Sequence, residues 1–256
     1  MHRSARSAAL LTAALSVCVL ALAGCSRNSG PHTTGRGPAL PREWPQGRAA
    51  PVKITEQLIL AIPLQYQRSA IEPGGPLAPP AAPSGRGEVH FDFFLPAFSG
   101  YTLQNYRNDS DQSKVEVAYV HAGNPHEADP GAPGEYPRNM LERSLKEVLD
   151  PSHYQDQYGL RCYRWRTVTD RISCYGPRDA AGEDIMLTAL VPPYPADVAF
   201  PEVQARYFSE RYGGVRISWR THVRNLPRWR GIDQQIWKFI DAWNVAQPSA
   251  AAAPLR

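Results

Sequence analysis

Apolar positions recur along this chain with two periods, and the period changes at identifiable points. In VKITEQLILAIPLQY, Leu58, Leu60, Ile62 and Leu64 fall on one side of a strand at period two. Pro63 predicts an edge position for that strand, because proline has no N–H to give to a ladder. In EVHFDFFLP, Val89, Phe91, Phe93 and Leu95 alternate with Glu88, His90 and Asp92, and in KVEVAYVHAG, Val115, Val117 and Tyr119 share a face. The stretch between them, YTLQNYRNDSDQS, is rich in the Asn, Asp and Ser of turns. RNMLERSLKEVLD then switches period: Leu141, Leu145, Val148 and Leu149 stand at helical spacing, and Asp150-Pro151 predicts the helix end.

From Tyr158 onward the pattern is that of a meander. YGLRCYRWR and RISCYGPR flank a short polar turn near Thr169-Asp170, and DIMLTALVPP supplies a further strand. VQARYFSERYGGVRISWRTHV reads as a hairpin turning at Gly213-Gly214, a pair that admits positive φ. In PRWRGIDQQIWKFIDAWN, Ile232, Ile236, Phe239, Ile240 and Trp243 form one face, with Asp233, Gln234, Gln235, Lys238 and Asp241 away from it. This predicts an amphipathic helix closing over the sheet. The expected fold is α+β: an antiparallel β-sheet of meander and hairpins, packed by a C-terminal amphipathic helix and a second helix. It spans residues 52–247 as a single domain, with 248–256 as a disordered tail, and no repeat of fixed period occurs.

Two stretches stand outside this pattern. PGGPLAPPAAPSGRG, Pro73 to Gly87, predicts a loop inside the domain, either a mobile surface loop or a functional one. SRNSGPHTTGRGPALPREWPQGRAAP carries too few apolar residues to offset its ordering entropy, which predicts a flexible tether. A coil of that length has an end-to-end distance of roughly 25–30 Å.

The amino-terminal stretch explains what is tethered. Arg3 and Arg6 open an otherwise uncharged run that ends in Leu22-Ala23-Gly24-Cys25, the positive end, apolar core and small residues of an export signal. An uncleaved span is the other reading, since a run of about 20 residues barely crosses a bilayer, but a spanning helix has no reason to end in Ala-Gly-Cys. Leu22-Ala23-Gly24-Cys25 resembles the lipobox of bacterial lipoproteins. The resemblance implies that residues 1–24 are removed, that Cys25 is lipidated through sulfur and acylated at its new amino end, and that 25–51 is a lipidated tether. Ser26 after the Cys resembles lipoproteins sorted to the outer membrane, which implies a lipid-anchored protein of the cell envelope facing the periplasm.

Removing 24 of 256 residues leaves 232, and removing Arg3 and Arg6 from 28 basic residues leaves 26 against 24 acidic ones. A net charge of +2 on that arithmetic excludes a general nucleic-acid binder. Cys18 leaves with the signal and Cys25 carries lipid, so Cys162 and Cys174 remain to pair in an oxidising compartment. The hairpin places them roughly opposite each other, and closing so short a loop stabilises by about 3 kcal/mol in the chain-entropy model.

Catalytic signatures are missing: no G-x-S-x-G, H-E-x-x-H, Walker or G-x-G-x-x-G motif occurs. His121, His126, Glu127 and Asp129 fall in a loop of Asn, Pro and Gly that fixes no ligand geometry, so neither metal nor cofactor is expected. His222, Asp170 and a serine make a triad only on paper, since a triad is defined by geometry. More informative is the predicted strand from Val215 to Arg224, with Val215, Ile217, Trp219, Thr221 and Val223 on one face and Arg216, Ser218, Arg220, His222 and Arg224 on the other. Arg161, Arg164, Arg166 and Arg171 of the earlier hairpin extend an Arg- and aromatic-rich surface. Such residues are enriched at interface hot spots, and Arg216, Trp219, Arg220 and Arg224 are the expected partner contacts, on whichever face is exposed. The alternative is a solvated face of cross-strand charge pairs.

CYRWRTVTDRISCYG and RYGGVRISWRTHVRNLPRWRGIDQQIWKFIDAWN, together with the lipobox, resemble periplasmic lipoprotein immunity proteins found beside type VI secretion effectors, especially lipases. The resemblance covers about 155–245 plus the signal. It implies a non-enzymatic protein that binds a secreted antibacterial toxin and occludes it. An assembly lipoprotein of an envelope complex and a periplasmic hydrolase are the other readings.

Overall fold

The computed structural model describes residues 47–71, 87–108, 111–123, 138–180, 182–194 and 198–246, all within the unit Leu40–Arg256. The signal, Cys25, most of the tether, the 73–87 loop apart from Gly87, and the 248–256 tail lie outside the described residues.

The elements in chain order are β1 (Val52–Thr55), β2 (Leu58–Leu60), a one-turn α1 (Arg68–Ile71), β3 (Glu88–Phe94), β4 (Lys114–Ala122), α2 (Arg138–Glu147), β5 (Leu149–Gln157), β6 (Leu160–Trp165), β7 (Arg171–Pro177), β8 (Asp184–Leu190), β9 (Glu202–Ser209), β10 (Val215–His222) and α3 (Trp229–Trp243). β1 and β2 pair as a small hairpin. The other eight strands form one sheet in the order β3-β4-β10-β9-β8-β7-β6-β5, antiparallel throughout. The expected α+β class, with an antiparallel sheet, a C-terminal helix and a second helix, is the one observed.

Directly opposed residues in an antiparallel sheet share a face, so the registers define rows that cross the sheet. One row runs Phe91, Val117, Trp219, Ala205, Leu187, Cys174, Cys162, Gln155. Every member is buried except Gln155, at the β5 edge. The parallel row runs Phe93, Val115, Thr221, Val203, Ala189, Ile172, Arg164 and likewise ends exposed, at Arg164. α3 covers the buried part of this face with Trp229, Ile232, Ile236, Trp237, Ile240 and Trp243. Trp243 meets Phe91 edge-on with centroids 4.9 Å apart and stacks on Phe239 at 4.7 Å. Cys162 and Cys174 are bonded as directly opposed residues, their Cα atoms 3.8 Å apart, as the hairpin reading requires.

Four local expectations are corrected. Leu58 and Ile62 do not share a strand: Glu56-Gln57 turns a hairpin, and beyond β2 the backbone bonds to the end of α3, Ala61 N–H donating to Trp243 O at 3.0 Å and Val245 N–H to Ile59 O at 2.8 Å. Tyr119 does not share a face with Val115 and Val117. A bulge at Ala118 inserts one extra residue in β4, Val117 pairing Trp219 and Tyr119 pairing Ser218, so Val120 turns inward instead. The helix reaching Leu149 stops at Glu147, where Arg166 Nη2 donates to Leu145 O at 2.8 Å and Arg166 N–H to Val148 O at 2.8 Å. Leu149 to Gln157 is instead an edge strand, carrying Pro151 and a register break before Tyr154.

The fourth correction concerns Asp233, which is buried rather than facing away from the apolar side of α3. Its Oδ2 accepts from Arg178 Nη1 at 3.0 Å, with both side chains 4% exposed. Arg178 also pairs with Asp179 and Glu183 and lies over the rings of Tyr207 and Trp237, at 4.8 and 5.3 Å. Glu183 in turn accepts from Ser209 Oγ at 2.9 Å. The cluster joins the β7–β8 turn, β9 and α3. Burial pushes the Asp233 carboxyl up from its ordinary range, and the Arg178 charge pulls it back.

Arg178→Met therefore leaves a buried carboxylate without its cation and is expected to cost about 3–5 kcal/mol in urea unfolding. Adding Asp233→Leu should restore most of that loss; a double variant as unstable as the single one would refute the pairing.

Candidate partner-binding surface

The face opposite α3 carries a polar row: Asp92, Glu116, Arg220, Gln204, Thr188, Ser173, Tyr163, Tyr154. Several of its members are paired with one another or with neighbours on the same face. Arg220 Nη2 lies 2.8 Å from Glu116 Oε1 and Nη1 lies 3.8 Å from Glu202 Oε1. Lys114 bridges Asp92 at 3.1 Å and Glu116 at 3.8 Å, and the Tyr101 hydroxyl donates to Asp92. Trp165 Nε1 donates to Ser173 Oγ at 3.1 Å. α2 lies at one end, Met140 and Ser144 lining a small cleft with Trp165, Met186, Gln204 and Arg206.

Of the expected contacts, Arg216 is half-buried and Arg220 exposed on this face, as the alternation predicts. Arg224 is exposed but stands beyond β10, in a 3-10 helix (Val223–Arg228) that the strand reading missed. Its Nη1 donates to Gln112 Oε1 at 2.6 Å, and its backbone N–H to His222 Nδ1 at 3.1 Å. Trp219 is fully buried in the centre of the opposite face, beneath α3, so it is a core residue and not a contact. Its place in a row between Val117 and Ala205 leaves no exposed atom for a partner. Cys25 lies outside the described residues, as do His126, Glu127 and Asp129. His121 is described, and its Nδ1 lies 2.7 Å from Ala122 O.

A second surface, not singled out from sequence, lies where the core rows run out. On the α3 side of β5–β7 is a cleft of about 470 Å³ lined by Ser152, His153, Gln155, Gln157, Arg164 and Ile172, with Cys162, Val191 and Pro192. No residue of α3 lines it. PSHYQDQ shows neither apolar alternation nor helical spacing, so sequence periodicity could not reveal β5. The arginine at two positions past Cys162 was the one available signal.

Ser152 and His153 line this cleft, and with Asp150 behind them they contain the atoms of a triad without its geometry. Ser152 Oγ lies 3.1 Å from His153 Nδ1, Asp150 Oδ2 lies 2.6 Å from that same nitrogen, and Ser152 Oγ donates to Asp150 Oδ1 at 2.6 Å. A catalytic arrangement places hydroxyl and carboxylate on opposite ring nitrogens. Here they converge on one, which makes a turn-stabilising cluster. The paper triad of His222 and Asp170 fares no better, since His222 Nδ1 is occupied as a helix cap. Burial and then Arg224 hold His222 below the ordinary imidazole range, the neutral state that this acceptor role needs.

No protein-family model and no curated protein sequence matches the chain. Among solved structures, the fold is similar to that of Smlt3025, an immunity protein of the Stenotrophomonas maltophilia type IV secretion system. The match has a TM-score of 0.50 at 12% identity and covers 77% of this chain and 94% of that one. It is a likeness of fold. The secretion system it names is type IV, so it lends nothing to the type VI lipase association implied by the sequence resemblance.

Hydrogen bonds from the Ser152 hydroxyl and backbone, and from His153, hold the Asp150 carboxyl at about 2 against an ordinary 3.8. A depressed carboxylate contributes stability that is present above 3.8 and lost as pH falls through about 2. A carboxyl-carbon NMR titration should find that midpoint, and Ser152→Ala should move it back toward 3.8; a wild-type midpoint already near 3.8 would show that the turn does not hold.

Proposed function

We propose that this chain is an immunity protein: it binds a secreted antibacterial toxin and neutralises it by occlusion, from a lipid anchor on Cys25 in the cell envelope. The observation that carries the reading is the likeness of fold to Smlt3025 across 94% of that chain. The lipobox, the paired cysteines of an oxidising compartment and the lack of a catalytic motif in the sequence support it independently. No type VI assignment is carried forward.

Occlusion needs area and complementarity, not chemistry at a reacting atom. Arg216, Arg220 and Arg224 remain proposed contacts. Arg220 and Arg224 are exposed and already partnered by Glu116, Glu202 and Gln112, so they suit a rim, where exchange of partners tunes encounter and specificity more than affinity. Trp219 contributes from the other face of β10, packed in the core beneath α3.

The test is protection. A secreted effector should be encoded beside this chain; directed to the periplasm, it should kill cells lacking the chain and spare cells expressing it, and the two purified proteins should form a stoichiometric complex. Equal killing in both strains, with no complex, would sink the proposal. The anchor is separable: Cys25→Ala should move the chain from the membrane to the soluble fraction of a cell extract, and an unchanged distribution would exclude lipidation as the attachment.

A further inference from the structure

Among the described concavities, the cleft beside β5 differs in holding an arginine that no other side chain engages. The one under Leu141 contains both Arg161 and Asp156, paired at 2.9 Å. The one at the end of β10 sets Arg220, Lys114 and Arg68 against Glu116 and Glu202. Arg206, under α2, donates to Gln204 at 3.0 Å. The β5 cleft has no Asp or Glu in its lining, and its histidine is paired with Asp150 at 2.6 Å. Arg164 is left as its charge, and among the described residues no hydrogen bond or ion pair engages it.

The surroundings are suited to an anion. Arg164 stands in the row next to the disulfide, opposite Ile172, so one side of the cleft is the apolar floor of Cys162 and Ile172 with Val191 and Pro192. Such walls exclude water and strengthen an ionic contact made against them. Gln155 and Gln157, on the same face of β5, offer amide donors at the rim, and Ser152 a hydroxyl. A planar guanidinium with flanking neutral donors matches the two oxygens of a carboxylate. Exposed Tyr194, two residues beyond Pro192, supplies contact area of the kind interfaces use.

We propose that this cleft receives a carboxylate of an acidic segment of the protein partner, with Arg164 as its counter-charge and Gln155 and Gln157 as positioning donors. The toxin-binding reading supplies only the identity of that partner; the carboxylate site stands on the cleft itself.

The test titrates the full-length, nitrogen-labelled protein with N-acetyl-hexaglutamate amide. The side-chain amide signals of Gln155 and Gln157 and the Nε–H of Arg164 should shift, hexalysine should leave them unmoved, and Arg164→Gln should abolish the response while the rest of the spectrum is unchanged. With the effector, Arg164→Glu should weaken binding roughly tenfold or more, and Arg164→Lys less. Unmoved signals, equal shifts in Arg164→Gln, or equal shifts with inorganic phosphate would overturn the proposal. A hexaglutamate response without any effector complex would leave the cleft a carboxylate site and remove the toxin reading. An effector that binds Arg164→Glu at undiminished affinity, together with a silent titration, would remove the cleft and leave that reading intact.

Discussion

The buried pairing of Arg178 with Asp233 is the contact through which helix and sheet fix each other's position. Two charged side chains, each 4% exposed, sit at a junction that apolar residues could fill. Desolvating both is expensive, and the return depends on geometry that only one placement of α3 satisfies. Slide the helix by one turn and the guanidinium keeps Asp179 and Glu183 but loses its buried partner. The apolar face of α3, by contrast, tolerates small displacements, since Ile and Trp contacts are non-directional. Packing supplies the stability of this interface and the ion pair supplies its register.

That register propagates across the sheet. With α3 fixed, Trp243 meets Phe91 at one end, and the indole of Trp229 donates to Tyr158 O at 2.9 Å near the other. Arg230 donates to the carbonyls of Gly159 and Arg178, so the start of the helix is pinned to the β5–β6 and β7–β8 turns together. What the helix covers becomes core, and what it leaves becomes the cleft. The same rows that carry Leu187 and Ala189 in the interior carry Gln155 and Arg164 outside it, with the disulfide at the boundary.

How much of this was legible in the sequence depended on whether burial left a periodic trace. β3, β6 to β10 and α3 each set buried apolar residues at a regular spacing, and that spacing announced them. The Cys162–Cys174 bridge followed from hairpin spacing for the same reason. β5 has almost no buried face, so PSHYQDQ showed no period. The Ala118 bulge adds a residue without changing composition, and Tyr119 was assigned to the wrong side. Asp233 looked polar and therefore exposed, because its partner lies 55 residues away and local pattern carries no record of it. The arginines of β10 were placed on the correct face, but the nearest carboxylate partner of Arg220, Glu116, came from β4, which sequence order does not bring beside β10. Arg164 was visible as one arginine among many. Its distinction is its place at the open end of a core row, beside the disulfide and unengaged among the described residues, which only the fold reveals.

β5 ends the sheet, and its form has a bearing on how copies of this chain behave toward one another. A terminal strand ordinarily presents a row of free N–H and C=O groups on which a second sheet can grow. Here Pro151 removes one donor, the break in register before Tyr154 twists the strand out of line, and exposed Asp156 adds charge where a neighbouring strand would have to dock. Self-association along this margin is therefore opposed three times over within nine residues. The strand that walls the proposed carboxylate site therefore also carries the features that disfavour pairing with a second copy along its open side.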